Sequence, residues 1–155
     1  MAFNIDEFKV NGLQYGGARP ALFSLAVSPP PAVGLDITSA QKFEFTARAA
    51  TLPESTIEAI QIPYFGRKIK IAGDRTFSDW RVTVMNDEDF GVRSMFEMWS
   101  NALNRHVSNT RQANLDLENY KASMNVIQYA KDGTVIREYE IIGAFPTAID
   151  AIDLD

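Results

Sequence analysis

Apolar and polar positions alternate through most of this chain. Between Lys42 and Ala49, Phe43, Phe45, Ala47 and Ala49 fall on one side and Lys42, Glu44, Thr46 and Arg48 on the other. A period of two is that of a half-buried strand, which Leu52-Pro53 would end. Further strands are predicted at Ala21–Ser28, stopped by Pro29, Pro30 and Pro31, and at Thr56–Tyr64 and Arg67–Ala72, joined by Phe65-Gly66. In the second of that pair Ile69 and Ile71 oppose Lys68 and Lys70. Trp80, Val82 and Val84 share a face in the next run, with Arg81 and Thr83 opposite. Ser123–Ala130 and Val135–Gly143 read as a hairpin around Lys131-Asp132-Gly133, because Asp-Gly is a strong turn signal. The expectation is a mainly β fold, an antiparallel β-sandwich or barrel.

One segment breaks the period. Val92, Met95, Phe96, Trp99 and Leu103 recur at helical spacings, which predicts one flanking α-helix over about residues 90–103. Asn86-Asp87-Glu88-Asp89 stand before it, where acidic side chains cap free N–H groups and the helix dipole favours negative charge. A cation site is the other use of such acids, but the glycine and terminal glutamate of a calcium loop are absent. Trp80, Phe96 and Trp99 are assigned to the core. From His106 to Tyr120 the chain is polar and irregular, so residues 104–122 are expected to form a long loop, a length that often signals function or mobility. A last apolar run, Ala148–Leu154, follows the hairpin.

Composition narrows the function classes. The 155 residues suit a single domain, 46% hydrophobic and 23% charged, with no apolar run long enough to span a membrane. The first residues carry acids early and lack an export signal. Without cysteine there is no disulfide, thiolate metal site or cysteine nucleophile. The one histidine, His106, has no nucleophile motif beside it, and zinc or phosphate-loop signatures are missing. No catalytic, cofactor-binding or metal-binding residues are therefore assigned, and no enzyme is expected.

The location of charge is more informative than its total. The net charge of −5 opposes electrostatic binding of nucleic acid. Yet Pro63–Arg81 holds five bases (Arg67, Lys68, Lys70, Arg75, Arg81) against two acids (Asp74, Asp79), a local charge of +3 that leaves −8 elsewhere. This basic segment is either a solvated surface or the part of one subunit that meets the acidic surface of another. Asp74 and Arg75 read as a turn-organising pair, costly to break on one side if buried at a subunit seam. Arg67, Lys68, Lys70, Asp74 and Arg75 are the candidate ring and subunit contacts.

The same residues resemble a known family. Arg67 to Glu88 is similar to the signature of contractile-phage tail tube proteins: Gly73, Asp74, Arg75, Thr76 and Phe77 as a loop, then Trp80, Val84, Asn86, Asp87 and Glu88. Arg19-Pro20 with Ala21–Phe23, the run Arg48 to Pro53, Tyr129 to Asp132, Glu140-Ile141, Gly143 and Pro146-Thr147 also match. The resemblance covers about residues 19–154 and rests on many spaced positions.

That family implies a single tail-tube domain over residues 1–155, with residues 1–18 as an N-terminal arm. It is related to the haemolysin-coregulated tube protein of type VI secretion. The implied assembly is a homo-hexamer ring whose strands join a continuous β-barrel, with rings stacked into a tube inside a contractile sheath. The implied partners are the tail sheath, baseplate and tail-terminator proteins, with DNA passing through without sequence-specific binding. The place is the virion tail, assembled in the host cytoplasm. The alternative is the tube of a genome-free injection system or tailocin. Family members continue past the position of Leu154 with a further strand. Either the barrel closes with fewer strands or a borrowed edge, or the sequence is part of a longer one.

Overall fold

The computed structural model describes residue 5 and residues 19–152. The proposed N-terminal arm, apart from residue 5, and the end of the last apolar run at Leu154 lie outside the described residues. In chain order the elements are β1 (Phe23–Ser28), a 3-10 turn (Pro31–Val33), α1 (Ile37–Thr46), β2 (Ala47–Thr51), β3 (Ser55–Tyr64), β4 (Arg67–Phe77), β5 (Arg81–Val84), α2 (Gly91–Leu103), β6 (Ala122–Tyr129) and β7 (Val135–Ala144). The fold is mainly β and antiparallel. The strands form a three-stranded sheet, β1-β6-β7, and two two-stranded ribbons, β2-β5 and β3-β4. Two compact units result. One holds Phe45 and the described residues before it together with those from Asn86 onward; the other is Thr46–Met85.

The core of the first unit lies on β6, whose burial alternates from Ala122 to Val126. Met124 and Val126 are buried, as are Leu25 of β1, which pairs with Val126, Phe43 of α1, and Val92, Met95 and Trp99 of α2. Leu25 and Trp99 are fully enclosed. Phe96, half-buried, meets Phe43 edge-on at 5.5 Å and stacks on Trp99 at 6.1 Å. Between Leu103 and Ala122 the chain makes turns and bends. Buried Leu115 and Tyr120 anchor that stretch, and the Tyr120 carbonyl accepts the Trp99 indole N–H at 2.9 Å.

The strand expected over Lys42–Ala49 is corrected. Its first half is the end of α1, a second helix beside the one predicted, and only Ala47 onward is strand. Asp36 starts the helix: its carboxylate accepts the N–H groups of Thr38 and Ser39 at 3.2 and 3.1 Å, and its carbonyl accepts that of Ala40. Ser39, Ala40 and Phe43 then form one narrow buried stripe. The apparent alternation arose because Phe43 and Phe45 are both aromatic, but Phe45 points to solvent and is 82% exposed.

The second helix begins at Gly91, as its apolar stripe predicts. The acids before it divide their work. Asp89 accepts the Gly91 N–H at 3.0 Å, and Lys42 of α1 bonds to both Asp89 and Asp87. The Lys42 ammonium, then the Gly91 N–H, hold the Asp89 carboxyl below its ordinary value; Asp89 and then Asp87 raise Lys42. The helix carries no side-chain cap at Phe90.

Candidate subunit interface

Within Thr46–Met85 the β3-β4 ribbon is far longer than the sequence suggests. The segment Gly73–Phe77, expected as a loop, continues β4, so the Asp74-Arg75 pair lies on a strand rather than in a turn. Pairing runs from Tyr64↔Arg67 back to Ser55↔Phe77. One irregularity interrupts it: between Ile57↔Arg75 and Ala59↔Ala72, Gly73 and Asp74 stand opposite the single residue Glu58. A β-carbon on Gly73 would lie 2.7 Å from the Glu58 carbonyl oxygen and 2.9 Å from an Ile60 side-chain carbon. The bulge therefore needs glycine, and by absorbing one extra residue it lets ladder pairing resume where a turn was expected.

Register sorts the ribbon into two faces. The pairs Ile60↔Ile71, Ile62↔Ile69 and Tyr64↔Arg67 lie on one face, and Ala59↔Ala72, Gln61↔Lys70 and Pro63↔Lys68 on the other. One face is a stripe of four isoleucines; the other carries lysine. Both are open. Every residue of β3 is exposed, as is every residue of β4 except Gly73. The four isoleucines are 45–51% exposed. The ion pairs among the described residues, of Lys42, Arg93 and Lys121, all lie outside the ribbon.

The structure thus gathers all five candidate contact residues on β4. Lys68 and Lys70 share the polar face, Arg67 lies on the isoleucine face, Asp74 is in the bulge and Arg75 pairs with Ile57. Arg81 lies apart on β5, opposite Thr51. Of the residues assigned to the core, Trp99 is enclosed and Phe96 half-buried, whereas Trp80 is half-buried with its indole N–H shielded and unpartnered among the described residues. Sequence reasoning took the isoleucines for half-buried positions and passed over Tyr64 and Phe65. The available signal was the pairing of two Ile-polar alternations across a two-residue turn, which makes one ribbon apolar on a single side.

Elsewhere, a shallow cleft beside α2 is lined by Ser94, Glu97, Asn101, Asn104 and His106. His106 Nδ1 is 3.0 Å from Asn101 Oδ1, with no hydroxyl nucleophile bonded to it among the described residues. Among the described residues, the β3-β4 ribbon is the strand pair exposed along nearly its whole length on both faces.

Comparison with known proteins agrees with the sequence resemblance. The profile of a family described as phage tail tube protein matches residues 18–155. The tail tube protein gp19 of Enterobacteria phage T4 is 38% identical over 142 residues, 89% of this chain and 78% of that protein. Its counterpart in Enterobacteria phage T6 gives the same identity and coverage. A tail tube protein of Serratia phage KSP90 is 28% identical over 103 residues, 66% of this chain and 57% of that protein.

Proposed function

From a chain that belongs to the phage tail tube protein family, as the structural tube subunit of a contractile phage tail, we propose an assembly of six-membered rings stacked into a hollow tube, with the β3-β4 ribbon as the segment by which one copy holds the next. The observation that carries this reading is the ribbon itself. A two-stranded hairpin is marginally stable alone in water, and this one carries four isoleucines in a row on one face, each about half exposed. Covering that stripe with a neighbouring copy removes apolar area from water and hides open strand edges. The charge has the matching sense: the +3 segment of one copy faces a remainder at −8 in the next.

The tube lies in the virion tail. The sheath outside it, the baseplate and terminator proteins at its ends and assembly in the host cytoplasm complete the proposal. Genomic DNA passes through the channel, and a net acidic protein suits that passage because it repels phosphate rather than gripping it. Negative-stain electron microscopy of the purified protein across a concentration series tests the assembly. Rings and hollow tubes are expected for the native chain. Arg75→Glu is expected to leave a folded protomer yet abolish long tubes, and unchanged tubes in that variant would refute the ribbon's role.

A further inference from the structure

At the end of the ribbon, sequence and backbone conflict. Phe65 and Gly66 connect the pair Tyr64↔Arg67, and both have positive φ, 44° and 77°. A two-residue turn of this kind favours Asn-Gly or Asp-Gly, because the left-handed conformation crowds a β-carbon against its carbonyl. Gly66 fits; a bulky aromatic at the first position is strained. The chain gives Phe65 little in return. Phe65 is 91% exposed and its ring meets Tyr64 edge-on at 4.7 Å, while Tyr64 is itself 60% exposed. Strained residues of this sort concentrate where a binding function requires them.

Resting on the ribbon's proposed role in association, we propose that Phe65 is an anchor side chain that enters an apolar recess of a second copy of this chain, braced by Tyr64. An exposed rigid aromatic is the type of side chain that dominates binding energy once desolvated. A second copy is the partner because the tip is followed by Arg67, Lys68 and Lys70 while the rest of the chain is acidic. A tube subunit also has itself as its first partner.

Phe65→Asn separates the anchor from the fold, since asparagine suits the turn. Its dilute protomer is expected to melt at the native temperature or higher, while the concentration needed for tubes rises by about tenfold or more. Phe65→Leu, which keeps apolar bulk, is expected to retain tubes. A photoreactive benzoylphenylalanine at position 65 is expected to give an adduct of twice the protomer mass in assembled material. Tubes of Phe65→Asn at the native concentration, a destabilised protomer in that variant, or no adduct with a second copy would each overturn the anchor. Loss of tubes in Arg75→Glu but not in Phe65→Asn would leave the ribbon's role standing and remove the anchor alone. Normal tubes in both variants would remove both.

Discussion

Trp99 shows how much one side chain settles in this protein. Its ring is fully enclosed, stacked on Phe96, and its N–H is donated to the Tyr120 carbonyl. Trp99→Ala would remove the ring and orphan a buried carbonyl, and is expected to cost roughly 3–5 kcal/mol in urea unfolding. Native stability in that variant would refute the assignment. Trp80 looks equally apolar in the sequence, on a clean period of two, yet it is only half-buried and its N–H has no partner among the described residues. Local pattern identifies a side chain that prefers burial; the number of elements that meet around it sets how far burial proceeds.

At the scale of elements, α1 and the start of α2 are joined through charge. Asp36 is held below its ordinary value by the Thr38 N–H and the Ser39 hydroxyl, and Asp89 by Lys42 and the Gly91 N–H. A depressed carboxyl contributes stability that is present above its unfolded value, 3.8 here, and is lost as pH falls through the lower folded value. Lys42, raised above 10.5, contributes below that value and ceases to do so as pH rises through its folded one. The protomer's melting temperature is therefore expected to decline below about pH 4 and again above about pH 10. Lys42→Met should flatten the acid limb in a thermal-shift titration, and an unchanged slope would show that the Lys42 pairs do not matter. The helix α2 was legible from its stripe of five apolar residues. The helix α1 was not, because Phe43 and Phe45 near its end mimic a period of two, while its buried stripe of Ser39, Ala40 and Phe43 holds little apolar bulk.

For the whole molecule, the open ribbon predicts that assembly and folding separate. Both faces are exposed in the single chain, so Ile62→Asp with Ile69→Asp replaces one half-exposed cross-strand contact by two facing carboxylates without touching the enclosed core. The double variant is expected to shift protomer stability by only about 1 kcal/mol, judged by denaturant unfolding. Tubes should fail to form in electron micrographs, since two carboxylates would be buried between copies. Tubes of native length would show that the isoleucine face is not covered in the assembly. The five basic and acidic residues proposed for this contact were found from sequence by local charge alone. Their shared strand was hidden behind a glycine that reads as a loop.

The sequence by itself determined the mainly β antiparallel class, the amphipathic helix before the polar loop, the two hairpin turns, and, through many spaced matches, the tail tube family. Those features are local: a period of two, a stripe, an Asp-Gly pair. Only the tertiary structure decided that Lys42–Thr46 is helix, that β4 continues through a bulge at Gly73 and Asp74, and that four isoleucines share one open face. These outcomes depend on which partner strand or core a segment finds. Pairing register turns two modest alternations into one apolar stripe, and cross-strand register is set between distant residues rather than within either strand.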